Sequence, residues 1–154
     1  MLIRPASASD RAFVIDTARR LSAFGPPPWR TAEEIVAGEV LTVGRFFEGQ
    51  MPGATLLIAE GEPGTPAGFV FLESARDYFN GEPHGHVGIL AVTREAEGTG
   101  AGSALLRAAE EWARARRFTR LTLNVFAGNT HAREVYERHG YRVETLKYVR
   151  VLGP

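Results

Sequence analysis

The stretch Val87-Gly-Ile-Leu-Ala-Val-Thr-Arg-Glu-Ala-Glu-Gly-Thr-Gly-Ala-Gly-Ser-Ala-Leu-Leu106 decides how the rest of the chain is interpreted. It begins as an apolar strand, passes through a turn with glycines at positions 98, 100 and 102, and continues as a helix. Glycine lacks a Cβ, so the backbone N–H groups of such a turn can converge on a ligand. Because a helix N-terminus carries unpaired donors and partial positive charge, the expected ligand is an anion, most often a phosphate. The stretch therefore predicts a phosphorylated cofactor; the plainer interpretation is a flexible helix start.

Composition narrows the class of protein. The chain has 154 residues, the size of one domain, so we expect a single domain over residues 1–154. Its 18 Lys+Arg balance 18 Asp+Glu, so no overall charge favours nucleic acid or a membrane surface as a partner. With no cysteine, the chain has no disulfide, thiolate metal site or cysteine nucleophile. It also lacks a signal-peptide pattern and an apolar run of roughly 20 residues, so we expect a soluble cytoplasmic protein without bound metal.

Hydrophobic periodicity and chain breakers predict the element order β-α-α-β-β-β-α-β-α-β-β. The clearest element is the helix after the glycine turn, whose apolar stripe comprises Ala101, Ala104, Leu105, Ala108, Ala109 and Trp112. The predicted strands cover residues 2–4, 54–60, 67–73, 87–92, 121–125, 141–145 and 148–152. Since the chain has neither repeats nor a linker, we expect one α/β or α+β domain built on a mixed sheet.

A second motif follows the fifth predicted strand. Asn129, Ala132, Tyr136 and Gly140-Tyr141 form the pattern N-x-x-A-x-x-x-Y-x-x-x-G-Y, whose spacing places the first four residues on one face of a short helix. Taken singly, Asn129 fits an ordinary N-cap and Tyr136 an ordinary packed aromatic residue. The glycine turn itself matches neither the dinucleotide fingerprint G-x-G-x-x-G nor a Walker loop. The combination of the two motifs is what indicates a functional site.

Together the motifs resemble those of the GNAT superfamily of acyl-CoA-dependent N-acyltransferases. The first family signature, Q/R-x-x-G-x-G/A after the fourth strand, is similar to residues 97–102 here, and the second is similar to the helix that carries Asn129 and Tyr136. The resemblance implies a GNAT-like fold, with a mostly antiparallel mixed sheet, splayed fourth and fifth strands and about four flanking helices. Two positions depart from the family pattern. Glu97 stands where Gln or Arg is usual, and Arg94 stands where Pro is frequent.

The resemblance also implies the cofactor and the site residues. The co-substrate would be acetyl-CoA, with the pantetheine arm paired to the backbone of Leu90, Ala91 and Val92. The diphosphate would be held by the amides of Gly98, Thr99, Gly100, Ala101, Gly102 and Ser103. Asn129 would contact the pantetheine or the phosphate side, and Tyr136 would protonate the leaving sulfur. The candidate base comes from residue type and position rather than from the resemblance. It is His86, at the head of the fourth predicted strand, since histidine has an ordinary pKa of ~6.5; Glu73, Glu82 and His84 are its rivals.

The leading hypothesis is therefore an N-acetyltransferase in which a primary amine of a small molecule or peptide attacks the thioester directly. Residues 24–30, Phe46–Phe47 and the loop 77–85 are expected to form the acceptor surface, although their aromatic side chains fit a core equally well. By analogy with the family, the protein could form a homodimer. Two alternatives stay open. One is a non-catalytic acyl-CoA-binding regulatory module, and the other is a nucleotide-binding protein that uses the same turn.

Overall fold

The computed structural model describes residues 1–154 and contains a five-stranded sheet with the strand order β1-β2-β3-β4-β5. The strands are β1 (Leu2–Pro5), β2 (Thr55–Glu62), β3 (Thr65–Arg76), β4 (Pro83–Val92) and β5 (Leu121–Leu123). The helices are α1 (Arg11–Ala18), α2 (Ala32–Phe47), α3 (Ala101–Ala115) and α4 (Thr130–Arg138), with 3₁₀ segments at Ala8–Asp10 and Arg19–Ala23. Strands β1 to β4 pair antiparallel and β5 joins β4 in parallel, which confirms the expected mixed sheet and four helices.

Helices cover both faces of this sheet. Helices α1 and α2 pack on one face, in a cluster that includes Val14, Ala18, Val43, Phe69, Phe71 and Ile89. Helix α3 packs on the other, in a cluster that includes Val70, Leu72, Leu105, Ala109 and Trp112. Burying one large apolar side chain contributes roughly 1.5–3 kcal/mol, so these two layers hold the sheet rigidly between them.

An ion network ties β1 to the start of α1. The Arg4 guanidinium donates to both oxygens of Asp10 at 2.8 and 2.9 Å, and to Glu60 at 2.7 Å. Both carboxylates are buried. The hydrogen bonds from Arg4 hold the pKa of Asp10 at about 2, below its ordinary value of 3.8, against the opposing effect of burial.

Strand β4 is distorted where it passes the centre of the sheet. Phe71 lies opposite Ile89 and Leu72 lies opposite Val87, so Gly88 has no partner on β3 and forms a β-bulge. A Cβ at Gly88 would come within 2.9 Å of the Phe71 ring, which explains why glycine is needed there. On its other side β4 pairs with β5 only from Gly85 to Val87. Beyond Val87 the two strands share no pairing, and this gap, the β4–β5 notch, is the splay that the family resemblance implies.

The sequence predicts strands over residues 141–145 and 148–152, and this prediction is wrong. Residues 141–154 contain neither helix nor strand, and residues 142–154 form no backbone–backbone hydrogen bond. The last two elements of the predicted order are therefore absent, and β5 ends at Leu123 rather than near residue 125. A β-forming sequence becomes a strand only where a neighbouring edge supplies hydrogen-bond partners, and propensity alone does not supply them.

None of the four helices combines the length and the apolar character that crossing a membrane requires.

Candidate active site

The turn between β4 and α3 holds backbone donors that have no partner. Gly98 and Gly100 adopt φ of 74° and 91°, a left-handed conformation that glycine reaches without strain. Gly100 is the N-cap of α3, and because glycine has no side chain, the first N–H groups of the helix receive no capping hydrogen bond from it. The Thr99 N–H donates to the Ala96 carbonyl at 3.2 Å. The remaining N–H groups of the turn donate to nothing in the chain, and they belong to Gly98, Gly100, Ala101, Gly102 and Ser103.

This turn also faces open space. Apart from the glycine itself, its two chain neighbours and the adjacent helix backbone, no atom lies within 4 Å of the position that a Cβ would take at Gly98, Gly100 or Gly102. Unpaired N–H groups at a helix N-terminus attract anions, because they present both hydrogen-bond donors and the positive end of the helix dipole. The geometry therefore fits a phosphate or diphosphate group, and Thr99 is the one amide of the predicted set that is already satisfied.

The edge of β4 beside the notch is the second part of the site. Leu90, Ala91 and Val92 pair with β3 on one side, and no strand lies along their other side. An extended ligand can add to such a strand edge through main-chain hydrogen bonds. The Val92 carbonyl is the exception, because it already accepts a hydrogen bond from the Arg20 guanidinium.

Arg20 belongs to the Arg19–Ala23 segment and was not predicted as a site residue. It also forms an ion pair with Glu97, the acidic residue at the start of the glycine turn. The same segment leads to Gly25, where a Cβ would lie 2.4 Å from the Gly128 carbonyl carbon. The chain from Arg20 to Gly25 thus touches the structure on both sides of the notch. No motif in the sequence marks Arg20, since its partner Glu97 is 77 positions away.

Helix α4 carries the residues of the second motif. The Asn129 side-chain oxygen accepts a hydrogen bond from the Ala132 N–H at 3.2 Å, so Asn129 is the N-cap of this helix. Tyr136 is half-buried, its ring lies 6.0 Å from that of Tyr141, and its hydroxyl makes no hydrogen bond within the chain. Burial raises the pKa of Tyr136 above its ordinary value of 10.0. The phenol therefore keeps its proton at neutral pH.

One hydrogen bond fixes α4 beside the glycine turn. Ser103 Oγ, in the first turn of α3, lies 3.0 Å from His139 Nε2 at the end of α4. This contact places the C-terminal end of α4 against the first turn of α3. The Ser103 hydroxyl is engaged in this contact, whereas its backbone N–H is free.

The candidate base lies on β4 just before the bulge. His86 Nδ1 is 2.7 Å from Thr122 Oγ1 of β5, and Glu73 lies opposite His86 in the β3–β4 register. Burial lowers the pKa of His86 below its ordinary value of 6.5, the Glu73 carboxylate opposes that shift, and neighbouring His84 adds to it. His86 is therefore neutral at pH 7 and able to accept a proton. No hydrogen bond joins His86 to Tyr136, the other predicted catalytic side chain.

A surface groove lies next to Thr122. Its volume is about 180 Å³, and its lining includes Arg76, Tyr78, Phe79, His84, Arg120 and Thr122. Tyr78 and Phe79 are 93% and 83% exposed. Phe46 and Phe47 follow the plainer interpretation, because both pack on the core. Glu82 is exposed at the edge of this loop, and nothing beyond its position favours it as a base.

His, Asp and Glu side chains form no group of three or more that could hold a metal ion.

The structure thus combines a bulged β4, a notch between β4 and β5, and a turn with unpaired amides at the start of α3. These are the features expected of an acyltransferase of the GNAT class. The sequence pattern of the acetyltransferase (GNAT) family matches residues 18–141, so the chain belongs to that family. Membership supports acyl transfer as its general chemistry.

Solved structures are similar over nearly the whole chain. A protein from Pyrococcus furiosus, provisionally described as an acetyl transferase, is 25% identical, with a TM-score of 0.77 over 98% of this chain and 99% of that one. An aminoglycoside antibiotic 6′-N-acetyltransferase from Acinetobacter haemolyticus is 19% identical, with a TM-score of 0.71 over 100% and 99% of the two chains. A ribosomal-protein-alanine N-acetyltransferase from Brucella melitensis is 19% identical, with a TM-score of 0.70 over 99% and 100%. No curated protein matches the sequence significantly.

Proposed function

We propose that this protein transfers an acetyl group from acetyl-CoA to a primary amine by direct attack. The observation that carries the proposal is the set of unpaired amides in residues 98–103, which lies at the end of an unpaired strand edge. When bound, acetyl-CoA supplies a thioester whose carbonyl carbon is open to attack by a neutral amine. The turn amides would hold its diphosphate, and the edge of β4 from Leu90 to Val92, apart from the Val92 carbonyl that Arg20 engages, would pair with its pantetheine arm.

Tyr136 is the proposed general acid. Its phenol stays protonated at neutral pH because burial raises its pKa, and its hydroxyl has no competing partner within the chain. A proton delivered to a departing thiolate from a positioned side chain typically accelerates a reaction ~10²–10⁴-fold. Tyr136 lies on helix α4, whose C-terminal end contacts the first turn of α3 through His139 and Ser103.

His86 is the proposed general base. Burial keeps its imidazole neutral at pH 7, and the hydrogen bond to Thr122 fixes the orientation of the ring. A neutral imidazole can remove the proton that an amine carries in water, either directly or through one ordered water molecule. Glu73, opposite His86 on β3, would stabilise the imidazolium that results.

The acceptor is proposed to approach along the groove beside Thr122. This groove contains both acidic and basic side chains, together with the exposed rings of Tyr78 and Phe79. Such a surface suits a polar amine with an apolar portion. The similar structures act on acceptors as different as an aminoglycoside and a ribosomal protein, so our proposal extends only to a primary amine of a small molecule or peptide.

The test is release of free CoA from acetyl-CoA in the presence of a panel of primary amines. Wild-type protein should turn over with at least one amine, and Tyr136→Phe should lower kcat by about 100-fold, because it removes only the donated proton. Tyr148→Phe is the matched control, since Tyr148 is 87% exposed in the C-terminal segment and should leave kcat unchanged. CoA binding without turnover on any amine would instead indicate a non-catalytic module.

A further inference from the structure

Glu97 creates an electrostatic problem for the proposed diphosphate site. It precedes Gly98 directly, so its carboxylate stands at the start of the turn whose free amides would face an anion. A carboxylate near a diphosphate repels it. A positive charge that offsets Glu97 would therefore strengthen the binding of a phosphorylated ligand.

Arg20 is the cation that reaches this carboxylate. Its Nη2 pairs with Glu97 Oε1, and its Nη1 donates to the Val92 carbonyl, the last residue of β4. The guanidinium carbon also lies 5.7 Å from the centre of the Phe24 ring, a distance at which the ring face attracts a cation. Three contacts thus hold the Arg20 head group where β4 ends and the turn begins.

No other cation takes this role. Arg94 lies in the same turn but forms no ion pair, and Glu97 has no second basic partner. The Arg20 side chain is 24% exposed and that of Glu97 is 52% exposed. An isolated pair so open to water adds little to folding stability. Because the pair lies beside the turn, its effect is instead on the local charge that a ligand at the turn would meet.

We propose that Arg20 sets the affinity of the turn for a diphosphate by neutralising Glu97, so that a residue from the α1–α2 connection completes a site built on β4 and α3. Arg20 is a positioning residue, because it acts on the ligand through Glu97. The inference rests on the proposed function, since the diphosphate in question is that of coenzyme A.

Four proteins and two ligands test this role by titration calorimetry. Arg20→Met should weaken CoA binding roughly tenfold, as expected for one uncompensated charge several ångströms from an anion. Glu97→Gln should tighten CoA binding severalfold, because Arg20 then has no carboxylate to neutralise. The double variant Arg20→Met/Glu97→Gln should return to within about threefold of wild type. Pantetheine has no diphosphate, so its binding should stay within about twofold across all four proteins.

Arg19→Met is the matched control, because Arg19 is exposed in the same segment and forms no ion pair. Thermal unfolding of each variant verifies that the fold is retained. CoA affinity unchanged by Arg20→Met would overturn the inference. A double variant as weak as Arg20→Met would also overturn it, because Arg20 would then act on the diphosphate directly. Wild-type protein that binds no CoA would instead overturn the proposed function and this role with it.

Discussion

The chain up to Ala113 and the chain after it differ in how many of their residues are buried. All 26 buried residues lie between Asp10 and Ala113, and none lies between Arg114 and Pro154. The first region holds strands β1 to β4 with helices on both faces, and it carries the turn amides, the strand edge and His86. The second region adds the three-residue strand β5, which pairs with β4, and helix α4, whose His139 contacts Ser103. The proposed anion site thus lies in the region that contains the buried core, and the proposed acid lies in the region without buried residues.

The largest expected effect is a difference in the free energy of unfolding that is lost when a large side chain is removed from each region. Phe69→Ala should lower the free energy of unfolding by about 3–5 kcal/mol, because Phe69 is fully buried between β3 and the α1–α2 layer. Leu146→Ala should lower it by less than ~0.5 kcal/mol, since that side chain is 69% exposed. Urea denaturation followed by circular dichroism measures both. A cost above ~1.5 kcal/mol for Leu146→Ala would show that the C-terminal segment packs against something in solution.

A smaller effect concerns the ion network of the first region. The pKa of Asp10 is about 2 in the folded protein, below its ordinary 3.8, so its ionised form stabilises the fold above pH 3.8. That contribution, on the order of 2 kcal/mol, should disappear as the pH falls from about 4 to 2. Asp10→Asn should be less stable than wild type at pH 7, and the gap should narrow at pH 2.5.

Urea unfolding at several pH values checks this expectation. Asp16→Asn is the control, because Asp16 is exposed and forms no ion pair. An Asp10→Asn variant whose deficit is the same at pH 2.5 and pH 7 would contradict the assignment.

The same division shows what the sequence could predict. The strand, the glycine turn and α3 were predicted because each follows from a local pattern, such as the spacing of Leu105, Ala109 and Trp112. The hairpin strands extend further than expected, as β3 reaches Arg76, because pairing with a neighbouring strand lengthens a strand beyond its apolar centre. The strands after Tyr141 were predicted from propensity alone, without a partner edge, and they do not form.

The sequence did not predict the long-range contacts of the site. Arg20 meets Val92 and Glu97 across more than 70 positions, and periodicity within a helix or strand carries no signal for such a contact. The Asn129 side chain, in contrast, makes a local contact that the sequence does predict. Its local pattern predicted a cap, and the cap is present.

The most direct test of the account is a ¹⁵N–¹H NMR titration of assigned, folded protein with CoA and, separately, with pantetheine. CoA should shift the amide resonances of Gly98, Gly100, Ala101, Gly102 and Ser103 saturably and more strongly than that of Thr99, whose N–H is already bonded to Ala96. Pantetheine should leave these resonances nearly unmoved. A titration in which CoA shifts no resonance of residues 98–103, or shifts only residues elsewhere, would contradict the claim that these amides hold a diphosphate.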